Sequence, residues 1–325
     1  MQTTGAPRGL TAVPGIRVGH HTLQERPTGC TVILADEPVV ASVDVRGAAP
    51  ATRETDLLAP DVLVDRINAI VLSGGSAFGL DAASGVMRYL EERKVGFAFG
   101  GAYVPIVPGA SLFDLPVGNP RIRPDAECGY RAAQAASAGA FAEGSVGAGA
   151  GATVGMSGGL KRAMKGGIGT ASVTLPNGVI VAALVAVNAR GDIVDPANGR
   201  IVAGVRSADG KGFSDARTLI RDGVPETPGQ NTTLGVVATN ARLTKAQARR
   251  IATMAHDGFA RAIVPAHTMS DGDLIFTLAT GGHAGEVNLT TIGQLATEVV
   301  VEAILRAVRE ATGVAGYPAV RDLKR

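Results

Sequence analysis

Residues 229–240 read GQNTTLGVVATN and place Thr232 between a loop and a β-strand. Residues 222–229 contain two prolines and two glycines and predict a loop, whereas residues 234–238 are apolar and predict a strand. A cut between Asn231 and Thr232 would make Thr232 an N-terminal residue. Its hydroxyl would then be a nucleophile, and its α-amine, with a pKa of about 8, a base on the same residue. The stretch therefore predicts a nucleophile that self-cleavage releases.

Two other interpretations fit the same residues. A loop that leads into a strand is common in any fold, and Asn231-Thr232-Thr233 also matches the N-glycosylation pattern, as does Asn288-Leu289-Thr290. Residues 1–11 lack a secretory pattern, and no segment has about 18 uninterrupted apolar residues. We therefore expect a cytoplasmic protein without a membrane span, which disfavours glycosylation.

Composition predicts closely packed layers. The 325 residues are 46% hydrophobic and include 44 glycines, while aromatic residues make up only 4%. Small side chains must therefore fill much of a large core. A formal charge of +2 offers no electrostatic attraction for nucleic acid or an anionic membrane, so the expected partner is a small molecule or peptide.

The two cysteines predict no disulfide, and no cofactor-binding motif in the sequence is complete. Cys30 and Cys128 are isolated, and we expect reduced thiols and no zinc site. Residues 74–78 (GGSAF) lack the second glycine of a nucleophile elbow, and residues 147–151 (GAGAG) and 165–167 (KGG) complete no nucleotide-binding motif. His20-His21 are adjacent and point to opposite faces of a strand. We expect no cofactor and no metal.

Periodicity predicts strands and helices without a linker between them. Strands are expected over 30–34, 41–45, 69–72, 173–175, 179–187, from after Thr232 to 238, and 274–278, and helices over 77–93, 126–142, 244–263 and 291–309. This alternation predicts a pair of sheets between helical layers.

Two further motifs carry polar groups at strand ends. Ser270-Asp271-Gly272-Asp273 precedes an apolar run, and its two carboxylates share a face and could polarise a nearby amine and hydroxyl. A solvated turn or a weak divalent-metal loop is the alternative. Asn188 ends the strand 179–187 and could donate its amide to an oxyanion, or bond its own turn.

Taken together, these residues resemble a family of hydrolases that includes the L-aminopeptidase/D-esterases, the β-peptidyl aminopeptidases and the nylon-oligomer endohydrolases. The resemblance spans nearly the whole chain. It is carried in order by VPGIRVGH (13–20), PTGCTV (27–32), VRG (45–47), LSGGSAFGL (72–80), GAG and GATVG (147–155), KGG (165–167), NTT (231–233) and SDGD (270–273).

The resemblance implies a self-processing precursor with one four-layer αββα sandwich of the N-terminal-nucleophile type. Cleavage between Asn231 and Thr232 would leave residues 1–231 and 232–325 together in that single domain. Thr232 would attack first its own preceding carbonyl and then substrate amides. Asn188 falls at the family's oxyanion asparagine, and Asp271 and Asp273 match the pair that orients the nucleophile in the nylon-oligomer branch. Relatives assemble as tetramers or larger rings, so a homotetramer is expected.

The chain departs from the family pattern at two positions. Many relatives carry a lysine where this chain has Met156, and Lys161 or Lys165 could replace it only at a different spacing. A tyrosine of some relatives aligns with Phe113, which cannot donate a hydrogen bond.

The leading hypothesis is an amidohydrolase or aminopeptidase that forms an acyl-enzyme on Thr232. Acyl transfer, as in the ornithine acetyltransferases, and a binding protein that never matures are the alternatives. Peptides, amino-acid amides, esters and polyamide oligomers all remain open as substrates.

Overall fold

The computed structural model describes residues 8–223, 231–314 and 316–323. Within these ranges the five α-helices are α1 (Ala82–Glu91), α2 (Ala126–Gln134), α3 (Ala216–Arg221), α4 (Lys245–Ala262) and α5 (Leu289–Glu310). The strands are β1 (Ile16–Thr22), β2 (Gly29–Val45), β3 (Ala51–Arg53), β4 (Arg66–Ser73), β5 (Phe97–Phe99), β6 (Ala102–Val104), β7 (Gly109–Ser111), β8 (Thr153–Val154), β9 (Met164–Lys165), β10 (Gly167–Thr174), β11 (Ile180–Val187), β12 (Asp192–Asp195), β13 (Arg200–Ala203), β14 (Leu234–Thr239), β15 (Ile263–Val264) and β16 (Leu274–Ala279). Most of the loop predicted over 222–229 lies outside the described residues.

One long strand joins two halves of the main sheet. The strand order is β10-β11-β14-β16-β2-β4-β7-β3, and β1 also pairs with β2. The first part of β2 pairs with β1 and β4, and its last part pairs with β16. The register of β2 against β4 shifts between Leu34 and Val39, where the strand changes direction. The separately predicted strands 30–34 and 41–45 are therefore one element.

Three apolar clusters show that the halves stack as layers. Alternate residues of β14 face opposite sides: Val237 packs with α4 and α5, and Val236 packs against the other half of the sheet. In β4, Ile70 joins that central cluster and Val71 packs with α1 and α2. A strand buried on both faces needs a continuous apolar run, which residues 69–72 of β4 and 236–238 of β14 supply. The order is helices, sheet, sheet, helices, and the expected αββα sandwich is confirmed.

The two long helices match the predicted ranges, and the two early ones are shorter. Thr244 caps α4 through a capping box with Gln247, as its sequence favours. Residues 76–81 form a 3₁₀ turn, so α1 begins only at Ala82. The predicted helix over 126–142 ends at Gln134 because Ser137 exchanges backbone hydrogen bonds with Val18, at 3.0 and 3.1 Å, and leaves the helical path.

The expectation of reduced thiols is wrong. Cys30 in β2 and Cys128 in α2 form a disulfide, with their Cα atoms 6.2 Å apart. The two residues are separated by 98 positions, and only the packing of α2 on the sheet brings them together. Spacing between isolated cysteines carries no information about such a contact.

Across the described ranges, no helix is both long enough and apolar enough to span a bilayer.

Candidate active site

Thr232 lies where a parallel ladder continues beyond its strands. β14 and β16 pair in parallel, with Leu234 opposite Leu274, and an isolated parallel bridge joins Asn231 to Asp271 in the same register. Residues 231–233 therefore run beside residues 271–273. This register places the predicted nucleophile directly beside the predicted acidic motif, with Gly272 opposite Thr232.

The peptide bond between Asn231 and Thr232 is held on both sides. The Asn231 carbonyl accepts the Gly272 N–H at 2.9 Å and the Thr232 hydroxyl. The Thr232 N–H donates to the Asn188 carbonyl at 2.8 Å. Thr232 is only 3% exposed. The hydroxyl thus lies at the carbonyl that it would attack, and Gly272 N–H is positioned to stabilise charge on that carbonyl oxygen.

Asp273 fixes the backbone immediately after the nucleophile. One carboxylate oxygen accepts the Thr233 N–H at 2.7 Å, and the other accepts the His267 backbone N–H at 3.1 Å and contacts His267 Nδ1 at 2.9 Å. The side chain is buried. Asp273 therefore contacts the backbone next to Thr232.

Asp271 is buried among several donors. Its carboxylate accepts the backbone N–H and the hydroxyl of Thr268, at 2.9 and 2.6 Å, and a backbone hydrogen bond from Arg190. Burial and the charge of nearby Asp273 nevertheless raise the pKa of Asp271 to about 7. Both carboxylates are at most 2% exposed, which contradicts the alternative of a solvated turn. Asp271 can exchange a proton near neutral pH.

Asn188 contacts Thr232 through its backbone carbonyl, while its side chain contacts Thr153 and Phe113. It follows β11, is fully buried, and offers its backbone carbonyl to Thr232. Its side-chain oxygen accepts the Thr153 N–H at 2.9 Å, and its amide nitrogen donates to the Phe113 carbonyl at 3.1 Å. These bonds tie Thr232 to the segments that contain Thr153 and Phe113. Asn188 therefore does not simply bond its own turn.

The two candidate lysines differ sharply. Lys161 is exposed, whereas Lys165 is fully buried and its Nζ donates to the carbonyls of Gly149 and Ala152 at 2.8 Å and of Gly166 at 3.2 Å. Burial lowers the pKa of Lys165 to about 7, against the opposing charge of Asp114. Three carbonyl acceptors satisfy the three N–H groups of an ammonium. Lys165 thus holds the glycine-rich loop together.

Met156 occupies an apolar position. It packs in a small buried cluster with Val117, Ala163 and Tyr317. A lysine side chain there would meet apolar neighbours, and the methionine suits the cluster that surrounds it.

Sequence reasoning missed His256, His267 and the role of Gly272. His256 lies in α4 between Ala252 and Phe259, at the spacing of a buried helix face, and donates to or accepts from His267 at 3.2 Å. A histidine on an otherwise apolar helical face was the available signal. Among the residues that the structure describes, no group of three or more histidine, cysteine or acidic side chains could hold a metal ion.

Comparisons with known proteins agree with this geometry. The model of Peptidase family S58 matches residues 9–321. An aminopeptidase of Mycobacterium tuberculosis, described as uncharacterized, is 45% identical over 97% of both chains. A 6-aminohexanoate-oligomer endohydrolase of Kocuria sp. is 30% identical over 91% of this chain and 84% of its own.

A solved structure shows the same fold. The L-aminopeptidase D-Ala-esterase/amidase of Ochrobactrum anthropi, described as a variant of the Ntn hydrolase fold, superposes with a TM-score of 0.68 at 23% identity, over 96% of this chain and 88% of its own. The family match, the relatives and the fold together define a hydrolase of amide bonds with an Ntn-type fold. The chain belongs to Peptidase family S58.

Proposed function

We propose that this chain cleaves itself between Asn231 and Thr232 and then uses Thr232 as the nucleophile of an aminopeptidase or amidohydrolase. The observation that carries the proposal is the arrangement of one peptide bond. Its carbonyl oxygen accepts hydrogen bonds from the Thr232 hydroxyl and the Gly272 N–H, and its nitrogen donates to the Asn188 carbonyl.

Self-cleavage would begin with an N-to-O acyl shift. Thr232 Oγ1 attacks the Asn231 carbonyl carbon, its proton passes to Asp271, and Gly272 N–H stabilises the oxyanion. The carbon–nitrogen bond then breaks, and the leaving nitrogen takes the proton to become the Thr232 amine. Water hydrolyses the resulting ester and leaves a carboxylate on Asn231.

Turnover repeats the same chemistry on an external amide. The freed Thr232 hydroxyl attacks the substrate carbonyl, with the α-amine or Asp271 as base, and releases an amine. Water then hydrolyses the acyl-threonine. In this proposal residues 1–231 and 232–325 remain one αββα domain, because β14 and β16 of the second fragment pair with β11 and β2 of the first.

Linear amides with a free amino end are the proposed substrates. Small peptides and amino-acid amides fit the aminopeptidase description of the 45% identical relative, and polyamide oligomers fit that of the 30% identical one. In each, a carbonyl adjacent to an extended chain would take the position that the Asn231 carbonyl holds before cleavage. The processed second fragment and the substrate are the partners in this proposal.

The protein is proposed to work as a homotetramer in the cytoplasm. Phe97 and Phe99 in the β5–β6 hairpin are 66% and 75% exposed, which favours an interface there. The disulfide is compatible with the reducing cytoplasm, because both of its cysteines are buried and soluble reductants would reach them poorly. Light scattering would test the assembly: four chains of 32.9 kDa are expected, and a stable monomer would contradict the proposal.

Intact mass spectrometry under denaturing conditions tests the central step. The expected result is two fragments that divide between Asn231 and Thr232, followed by release of free amine from a series of amino-acid amides. A single species of full length after prolonged incubation would contradict self-cleavage.

A further inference from the structure

A hydrogen-bonded chain of two histidines leads from β2 to the nucleophile's acidic partner. His256 lies in α4 and His267 in the loop before β16. His256 Nε2 is 2.9 Å from the Asp44 carbonyl, His256 Nδ1 is 3.2 Å from His267 Nε2, and His267 Nδ1 is 2.9 Å from an oxygen of Asp273. The other oxygen of Asp273 accepts the Thr233 N–H.

We infer that His267 is an imidazolium, paired with the Asp273 carboxylate and held by His256, and that it is a positioning residue for Thr232. This inference rests on the proposed function, since it assigns a role within that site. It adds two histidines that the sequence motifs do not contain.

The positions of the protons follow from the acceptors at the two ends. A backbone carbonyl only accepts, so His256 must carry its proton on Nε2. Burial lowers the pKa of His256 to about 4, so the ring is neutral and its Nδ1 is an acceptor. His267 Nε2 must then donate to that nitrogen. A proton is also required between His267 Nδ1 and Asp273, because two lone pairs would repel at 2.9 Å.

The surroundings favour placing that last proton on His267. The Asp273 oxygen that faces the ring also accepts the His267 backbone N–H, and its partner oxygen accepts from Thr233, as suits a carboxylate. Phe259 packs against both rings, with centroid distances of 5.3 and 6.0 Å, and the His267 side chain keeps 20% of its surface exposed, so that water can solvate the imidazolium.

The charged groups around the pair lie on α4, on β2, on the loop that contains His267, and on the loop between β11 and β12, where Arg190 donates a backbone hydrogen bond to Asp271. Asp271 and Asp273 lie on the same loop as His267, and α4 contributes His256 and Arg249. β2 contributes Asp44, whose carboxylate is paired with Arg249 and, just beyond the end of β2, with Arg46 at 2.9 Å each. Burial opposes ionisation of Asp44, but Arg46 and Arg249 outweigh it and lower its pKa. Arg46 and Arg249 are thus already paired with Asp44, and His267 is the basic side chain that contacts Asp273 at 2.9 Å.

The pairing of His267 with Asp273 affects the pKa of Asp271. The Asp273 charge raises the pKa of Asp271, and an adjacent imidazolium offsets part of that charge. Loss of the cation would raise the pKa of Asp271 further, so a higher pH would be needed to form the carboxylate that takes the proton from Thr232.

Two substitutions separate charge from hydrogen bonding. His267→Asn retains a donor near the position of Nδ1, and asparagine tolerates the backbone φ of +56°. His267→Gly accepts the same φ but loses both donor and charge. His283→Asn is the matched control, because His283 lies at the opposite end of β14, where its N–H donates to Asn240.

The experiment measures self-cleavage rate against pH for the full-length chain and these three variants. We expect the acid limb to move to higher pH by about one unit in His267→Asn and His267→Gly. His267→Gly should also be the slower of the two at every pH. An acid limb that stays in place in both variants would overturn the positioning role.

Nitrogen-15 correlation spectra of the intact chain test the protonation directly. His267, assigned by the loss of its signals in His267→Asn, should carry protons on both ring nitrogens at pH 7, and His256 on Nε2 alone. A bare nitrogen on His267 would overturn the inference even if cleavage proceeds normally. An uncut wild-type chain would instead contradict the proposed function, while the spectra would still decide the state of the pair.

Discussion

Gly272 lies directly opposite Thr232 in the parallel ladder, so close that a Cβ built on Gly272 would be 2.7 Å from Thr232 Oγ1. The same Cβ would lie 2.5 Å from the Ala49 carbonyl oxygen. A side chain at this position would displace either the nucleophile or the backbone that bounds the site. The glycine between the two aspartates thus provides both space for the hydroxyl and the N–H that reaches the Asn231 carbonyl.

Substitution of Gly272 should block self-cleavage. We expect Gly272→Ala to slow self-cleavage by at least about 100-fold, because the added Cβ would push the Thr232 hydroxyl or the residue 272 N–H out of position, and loss of one positioned oxyanion donor costs about that factor. The measurement is a time course of fragment appearance on denaturing gels. Gly282→Ala is the control, since a Cβ there meets nothing within 4 Å. Cleavage at the normal rate in Gly272→Ala would show that Thr232 does not need this space.

The Thr232 hydroxyl should be indispensable, and another buried threonine should not. Thr232→Ala should remain one chain of 32.9 kDa, whereas Thr232→Ser should still divide. Thr277→Val is the matched control, because the Thr277 hydroxyl is also buried and has no hydrogen-bond partner among the described residues. Mass spectrometry of the denatured proteins shows whether each variant has been cleaved. Fragments from Thr232→Ala would assign the nucleophile to another residue.

Self-cleavage should accelerate as pH rises through about 7. Burial and the charge of Asp273 raise the pKa of Asp271 to about 7, and its carboxylate form is the proposed base. Initial rates between pH 5 and 9 test this expectation. Asp271→Asn should lower the rate by at least about 100-fold and remove the dependence. An unchanged profile in Asp271→Asn would exclude Asp271 as the base.

The Asp271 carboxyl should make the uncleaved chain less stable as pH rises. Its pKa in the folded state lies above the ordinary carboxyl value, so the folded state binds more protons than the unfolded state between about pH 4 and 7. Stability is therefore lost as pH increases across that window. Urea unfolding of Thr232→Ala and of the double variant with Asp271→Asn should show a smaller decline in the double variant, because Asp192, whose pKa burial raises to about 6, still contributes in both.

The disulfide should contribute measurably to stability. Cys30 and Cys128 enclose a long loop, and removal of such a cross-link costs about 2–4 kcal/mol. We expect Cys30→Ser with Cys128→Ser to unfold at lower urea than wild type. Thiol titration of denatured, unreduced protein should find no free thiol. Two free thiols per chain would contradict the disulfide.

Local sequence was sufficient for the two long helices and for several central strands, and it singled out Thr232 as the candidate nucleophile. The apolar run of β14, the cap of α4 and the long apolar face of α5 follow from interactions between near neighbours, which residue order records directly. Thr232 after a loop and two aspartates before a strand were recognised for the same reason. Their roles remain a proposal, but their juxtaposition was anticipated.

Only the tertiary structure decided how distant segments meet. The parallel register that sets Gly272 against Thr232, the Asn188 carbonyl that receives the Thr232 N–H, and the chain from Asp44 through His256 and His267 join residues tens to hundreds of positions apart. The bond between Cys30 and Cys128 is of the same kind. Such contacts depend on how four layers pack, because that packing fixes which backbone groups face one another. No local spacing encodes it.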